Sequence, residues 1–545
     1  MLSEPVVGKR FFGRDGVLRL LDKRVDTLKE GYRQNIAITG QSMAGKSSLL
    51  QHFLYNIRGE AFIPIYVELG KETFQSFANK FIATLLYNSL KSRGEGAALG
   101  SIDELLEKAQ KFLPKTTQAI RQVLSGIEKK QMADAYFNLL KLTSLLKDET
   151  ARSCIVILDE FHNMESFDIK NPFSVFGKVI MLQKDTMYIV SSSRMKTIKK
   201  ILQEKLALLF GNFEVLELKG FEPSMSSSFL DSRALPLEME KGIKKFLISF
   251  TWGNPFYLDC ICSEAKAIAS GMGRCVIEKG DVEEAVVSLV YGSNGTIHQY
   301  LLNFLLESLD MRHRDSYISA LISVAKGCGK LKEVSKDLKR NSSDVSRILG
   351  KLVDIGLLSK KGAFHAIEDS VLRFWLFHVY HKKQTLLINY VIERTEAYRE
   401  DIRRYIADFL QDAERDVFSR VVELFDLFGN DLVQQEDKTV LLPQFIKVGV
   451  GTFDDITPHI VATSRNNRCW ICKIYTDTID EDDVAECLRS IKSYPQKIAK
   501  FVAIPLAGID ENAKLLAKEL KIALWDLEFL NTLFCIYGRN NLVLI

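Results

Sequence analysis

The stretch that most constrains this chain is NIAITGQSMAGKSSLLQHFLYNI, residues 35 to 57. A short β-rich run ends at Thr39, the pattern G-x-x-x-x-G-K-S follows, and an apolar-periodic helix begins near Lys46. Gly40 and Gly45 let the backbone wrap round an anion, so that successive amide N–H groups and the helix N-terminus face a phosphate. Lys46 adds a positive charge at that point, and the Ser47 hydroxyl, with Ser48 next to it, suits a phosphate-bound Mg²⁺. A loop of this kind has to be carried by a parallel sheet with helices around it, so the sequence predicts an α/β fold.

Phosphate chemistry also needs a carboxylate for the metal and a group that positions water. CIVILDEFHNM, residues 154 to 164, supplies both. Ile155 to Leu158 read as a buried parallel strand, and Asp159 and Glu160 emerge at its C-terminal end, where ligands bind in open α/β sheets. Asp159 is the expected Mg²⁺ ligand and Glu160 the expected activator of water. The runs FIPIYVEL, MYIVSSS and FEVLELK complete a set of five strands, and Ser193 and Arg194, at the polar end of the fourth, are candidates for sensing the terminal phosphate.

A length of 545 residues exceeds what a single core supports, so two to four domains are expected. No apolar run reaches the roughly 18 residues needed to span a bilayer, and the first residues lack the apolar stretch of a secretory signal, which reads as a cytoplasmic chain with no membrane partner. The 9 cysteines are odd in number and scattered, against a disulfide framework. Cys469 and Cys472 point to opposite faces of a strand, and Cys260 and Cys262 diverge on a helix, so neither pair is assigned a metal.

FFGRDGVLRLL, GQSMAGKSS, VILDEFHNM, SSSRMKTIKKIL, LFGNFEVLELKGFEPSMSSSFL and TWGNPFYLDCI together resemble the archaeal-type ATPases, a branch of the signal-transducing P-loop ATPases near the AAA+ proteins, over about residues 10 to 290. The resemblance implies ATP and Mg²⁺ as cofactors, places Phe12 to Arg14 near the adenine, and makes Gly253 to Pro255 the opening of a lid helix that contacts nucleotide. Arg14 and Pro255 thus join Gly40, Gly45, Lys46, Ser47 and Ser48 as nucleotide-binding residues, with Lys46, Glu160 and Arg194 in catalytic roles. Asn212 stands where relatives carry arginine, which leaves an arginine finger unassigned. Residues 95 to 150 form a helical insertion between the second and third strands.

From Arg312 to Lys361 the pattern is three helices and a small hairpin, the order of a winged helix. Ser342 and Ser343 stand where an N-cap is wanted, and Val345, Ile348, Leu349, Leu352, Val353 and Ile355 give the third helix an apolar face. This module holds twelve Lys or Arg against five Asp or Glu, a net of +7 in a chain whose total is +4. Charge so concentrated suits a phosphate backbone, and Arg347, Lys351, Lys360 and Lys361 are the candidate contacts to double-stranded DNA. The alternative is a protein-interaction module.

The segment FHAIEDSVLRFWLFHVY resembles the one that closes the winged helix in archaeal ATPases with a nuclease-like C-terminal domain, with Ser370 in place of proline. The remainder, a helix, three strands, a helix and a strand, then a last helix and strand, is similar to the restriction-endonuclease-like PD-(D/E)XK fold. That resemblance puts His459 and Ile471 where metal-binding acids belong, and keeps only Lys473 and Glu423, with Asp454 and Asp455 nearby. The domains so read are 1–220 (P-loop ATPase), 221–295 (helical lid), 296–380 (winged helix), 381–430 (helical linker) and 431–545 (nuclease-like). The function expected is an ATP-dependent switch that engages DNA, with a C-terminal domain that does not cut. An ATP-gated nuclease and an ATPase that binds only proteins are the competing readings, and self-association is left open.

Overall fold

The computed structural model describes residues 4–57, 62–94, 100–206, 213–385, 391–436, 438–453, 457–466, 468–493 and 498–545. It divides into two compact units, Met1–Gly220 with Asn254–Phe256, and Phe221–Gly253 with Tyr257–Ile545.

The first unit is built on five parallel strands, β1 (Asn35–Thr39), β2 (Phe62–Glu68), β3 (Ser153–Asp159), β4 (Thr186–Ser192) and β5 (Phe213–Glu217), in the order β2-β3-β4-β1-β5. Alternate residues of the strands enter two cores. Ile36, Ile38, Ile155, Ile157 and Ile189 pack against the helices Asp15–Lys29 and Lys46–Asn56, while Ile63, Ile65, Val156, Leu158 and Val190 pack on the other face, against Phe74–Lys91 and its neighbours. Both faces are therefore covered, which is why the strands read as continuous apolar runs. The expected insertion forms three helices, Ile102–Gln110, Pro114–Glu128 and Met132–Thr150, whose Leu105, Ile120, Val123 and Leu139 extend the second of these cores. The register Glu68↔Asp159, Leu158↔Val190 and Thr39↔Ser192 brings the carboxyl ends of β1 to β4 to one level.

In the second unit, the helices Pro223–Ala234 and Lys241–Thr251, most of Pro255–Gly271, and Lys279–Val286 come first, with the two-residue strands β6 (Glu238–Met239) and β7 (Val276–Ile277). The helices Arg314–Ala325, Leu331–Asp337 and Ser342–Asp354 then precede the antiparallel pair β8 (Ser359–Lys361) and β9 (Phe364–Ala366). The helix Val391–Glu414 lies in the stretch expected as a linker, yet its Tyr398, Ile402, Ile406 and Phe409 are buried and Phe409 packs on Phe246.

A hairpin not expected from the sequence, β10 (Asp431–Gln435) with β11 (Lys438–Leu442), follows the helix Val417–Asp426. The last sheet runs β12-β13-β14-β15-β16, formed by Phe445–Phe453, Thr457–Ser464, Cys469–Tyr475, Ile498–Pro505 and Ala523–Leu524. Its first three strands are antiparallel and the last three parallel. A helix, Leu527–Ile536, comes after β16, where the sequence suggested that a strand would end the chain.

The N-cap of Ser342–Asp354 is Asn341, whose side chain accepts from the Asp344 N–H at 2.8 Å, so the two serines expected to cap are already helical. Three cap-competent residues stand in a row, and the first of them takes the extended conformation that a cap requires. Asn341→Ala should therefore destabilise the second unit by about 1 kcal/mol in urea unfolding, while Ser342→Ala and Ser343→Ala stay within about 0.5 kcal/mol of the parent.

Candidate functional site

The phosphate loop leaves β1 through Gly40, where a Cβ would run into the Leu218 carbonyl oxygen, and enters its helix through Gly45 at φ +92. Only glycine satisfies both demands without strain. Lys46 is buried, and its Nζ donates to the Gly40 and Gln41 carbonyl oxygens at 3.0 and 2.8 Å. Burial pushes its pKa down, against the pull of Glu160 and Asp159. Ser48 is drawn the other way, its Oγ accepting from the Val6 N–H at 3.0 Å.

Asp159 is fully buried at the end of β3 and gathers four donors. Ser47 Oγ and Tyr66 Oη donate to its Oδ2 at 2.6 and 2.8 Å, and Ser191 Oγ and the Glu160 N–H donate to its Oδ1. Tyr66 and Ser191 were not singled out in the sequence. Tyr66 lies on the same face of the sheet as Ile157, opposite it in β2, and only that register brings it to the carboxylate. Burial, with the adjacent Asp159 charge, raises the pKa of Tyr66 and keeps it a hydrogen-bond donor. Glu68 is likewise pushed up, by burial first and then by Asp159 and Glu160.

Glu160 has φ +52, a conformation that costs a non-glycine residue of order 1 kcal/mol and recurs at functional sites. Its Oε2 accepts from the Ser193 N–H at 3.1 Å and from Ser193 Oγ at 2.8 Å. His162 Nδ1 lies 3.3 Å from the same oxygen and 2.9 Å from Ser192 Oγ. Burial, then Arg194, Lys46 and Lys71, lower the His162 pKa to about 3, so the ring is neutral and this contact is not an ion pair. Arg194 caps the helix Met195–Lys200 next to Ser193.

Arg14, expected beside the base, donates to the Ala44 and Lys219 carbonyl oxygens at 3.4 and 2.5 Å, tying the loop to the segment after β5. The Asn254 amide donates to the Ser42 carbonyl oxygen at 3.4 Å, and Pro255 Cγ lies 3.7 Å from the position a Cβ on Gly45 would take, so the G-x-P motif meets the loop from outside. Loop, Asp159, Glu160, Ser193 and Pro255 are all brought together within the first unit. Asn212 lies outside the described residues.

In the second unit, the Arg347 side chain is 81% exposed and sits 3.0 Å from Asp344, and Lys351 and Lys360 are exposed. Lys361 pairs with Glu368 at 3.3 Å, and the turn beyond it is held by a hydrogen bond of 2.7 Å from the Ala363 N–H to the Leu432 carbonyl oxygen. Farther along, Ile471 is fully buried among Val484, Cys487, Phe501 and Ala513, and His459 is fully buried opposite Gly451. Lys473 Nζ pairs with Glu486 at 2.9 Å, and Glu423 with Arg415. Asp454 and Asp455 lie outside the described residues. Among the described residues no group of three or more His, Cys, Asp or Glu could hold a metal, and no helix is long and apolar enough to cross a membrane.

His162 supplies a pH test. Its folded pKa, near 3, lies below the ordinary 6.5, so between those values the unfolded chain takes up a proton that the folded chain refuses. The stability this gives is fully present above pH 6.5 and is lost as the pH falls toward 3. The His162 imidazole resonances should accordingly stay at neutral-ring positions from pH 7.5 to pH 4.5. Titration of this ring near its ordinary value would contradict the burial account.

No curated protein matches the chain. Among solved structures, a Walker-type ATPase of Pyrococcus abyssi aligns at 17% identity over 69% of this chain and 99% of its own, with a TM-score of 0.50. The ORC2 protein of Aeropyrum pernix, in its ADPNP–ADP complexes, aligns at 14% identity over 74% and 98%, with a TM-score of 0.45. The Thermotoga maritima RuvB Holliday junction branch migration motor aligns at 12% over 67% and 96%, at 0.33. The first of these shows a shared fold. Residues 10–169 match the family model described as an AAA ATPase domain, and the strands, loop and buried carboxylate described above fall within or beside that span.

Proposed function

We propose that this chain is an ATP-binding and ATP-hydrolysing switch that engages double-stranded DNA through residues 312–361. The observation that carries the nucleotide half is the Ser47–Asp159 contact of 2.6 Å, two hard oxygen donors at the foot of a phosphate loop whose lysine is already buried. Ser47 and Asp159 fit Mg²⁺, which prefers oxygen ligands and would neutralise charge on the phosphates. Gly40, Gly45 and Lys46 would cradle the phosphates. Ser193 holds Glu160 at the strand ends, where it can act as base toward water, and Arg194 stands one residue on, in position to answer to the terminal phosphate. Pro255 and Asn254, against the loop, would report its occupancy to the helix they begin. The AAA ATPase match over residues 10–169 supports the same reading.

The DNA half rests on charge. Residues 314–366 have the element order of a winged helix, with Arg347 and Lys351 outward on its third helix, and residues 312–361 carry the net +7. The C-terminal sheet is read as a restriction-endonuclease-like scaffold without the cutting chemistry: Ile471 serves the core, and Lys473 and Glu423 are each committed to a partner of opposite charge. The chain acts in the cytoplasm in this account.

Purified protein should hydrolyse ATP slowly, roughly 10³-fold or more below finger-equipped ATPases, because no arginine finger is assigned. Lys46→Ala should abolish nucleotide binding in equilibrium titration, and Glu160→Gln should retain bound ATP while losing turnover. Unchanged turnover in Glu160→Gln sinks the base assignment.

DNA affinity should fall steeply with salt. Changing Arg347, Lys351, Lys360 and Lys361 together to alanine should weaken binding and reduce the slope of log K against log salt by up to about 0.9 for each phosphate no longer neutralised. Parent-like binding by this variant in a fluorescence-anisotropy titration would move the interface elsewhere. Supercoiled and single-stranded DNA should survive incubation with ATP and Mg²⁺ or Mn²⁺.

A further inference from the structure

Within the second unit, the end of the segment Val287–Tyr291, the segment Trp375–His381 with Lys382–Thr385 after it, and the helix Val391–Glu414 line a partly open cavity of about 110 Å³. Lys382, Lys383 and Arg394 line it beside a single carboxylate, Asp401, so that three cations face one anion. Asp401 is already engaged by Lys382. Lys383 Nζ donates to the Tyr291 carbonyl oxygen at 2.8 Å and lies 4.6 Å from the centre of that ring.

Three polar atoms on the wall are buried with no hydrogen-bond partner: Tyr398 Oη, Arg394 Nε and His378 Nδ1. Tyr398 is 2% exposed, and its ring stacks on Tyr291 at 4.2 Å, which fixes the hydroxyl in place. The Arg394 Nε–H can only donate and a buried tyrosine hydroxyl donates most readily, so two of the three lack an acceptor, while the nitrogen of the neutral His378 ring can take either role. Buried polar groups in folded proteins are almost always satisfied. An acceptor here also meets an excess of two positive charges, which matches the charge of about −1.5 to −2 on a phosphate monoester at pH 7. Room is sufficient: roughly 10–15 Å³ admits one water, and this cavity is several times larger. Burial pushes the pKa of Lys383 down, and a bound anion would draw it up again.

We propose that this cavity is a phosphate-binding site separate from the phosphate loop, one that takes the phosphate of a free nucleotide or small ester, or of a DNA backbone. Arg394 and Tyr398 supply donors to its oxygens, and Lys383 supplies charge. The site stands whether or not the phosphate loop hydrolyses ATP.

The test uses the full chain with Lys46→Ala, which silences the loop. Titration calorimetry with inorganic phosphate, against chloride at matched ionic strength, should show one phosphate bound per chain. Adding Lys383→Gln and Arg394→Gln should weaken it at least tenfold, and Tyr398→Phe severalfold, with circular dichroism unchanged. Lys383→Gln alone, at a half-buried position, keeps the test available if the double variant does not fold. AMP and a short DNA duplex are then added as competitors. Displacement by AMP alone assigns the site to small molecules, and displacement by duplex assigns it to the DNA backbone, and either supports the site. Absence of phosphate binding in Lys46→Ala, or parent-like affinity in Lys383→Gln and Arg394→Gln, overturns it.

Discussion

The Asp159 carboxylate is the constraint around which the first unit is arranged. A fully buried carboxylate is tolerable only when its oxygens are satisfied, and here the donors come from the phosphate-loop helix, from β2, from β4 and from its own backbone. Each donor fixes one neighbour: Tyr66 sets β2 on one side of β3, Ser191 sets β4 on the other, and Ser47 holds the start of the Lys46 helix over the strand ends. The order β2-β3-β4-β1-β5 is what allows all three to converge. The strained Glu160 follows directly from Asp159, and its carboxylate is then fixed by Ser193.

Much of that arrangement is legible in the chain. The loop glycines, Lys46, and the buried run ending in Asp159 and Glu160 carry local patterns whose physical demands are specific. The strand partners are less legible, because strands covered on both faces show no alternation, and nothing local marks Tyr66 or Ser191 as facing a carboxylate. Arg14 shows another limit: nothing local in the sequence marks its guanidinium as tying together the carbonyls of Ala44 and Lys219, which lie far apart in the chain. The hairpin β10–β11 escaped notice because LVQQEDKTVL interrupts its apolar residues with charges at the turn. The cavity near Tyr398 was invisible for a different reason, since its walls come from segments about a hundred residues apart.

The second unit separates charge from chemistry. Its basic module keeps Arg347 and Lys351 exposed on one helix, while Lys361 is paired and the hairpin turn is tied to Leu432. The helix face is thus the stronger candidate for a backbone contact, and the hairpin the weaker. In the last sheet, the side chains at the positions of interest are spent on packing and pairing: Ile471 on the core under the helices Glu481–Ser493 and Glu511–Glu519, Lys473 on Glu486. Among the described residues no group of three or more His, Cys, Asp or Glu could hold a metal there.

Control of DNA engagement by nucleotide state is tested most directly by measuring the affinity of the full chain for one DNA duplex at fixed salt with a non-hydrolysable ATP analogue, with ADP, and with no nucleotide. The account predicts affinities that differ by about tenfold or more between the analogue and ADP, within the usual range of coupling between two sites. Equal affinities in all three conditions, or no binding to DNA in any of them, would contradict it.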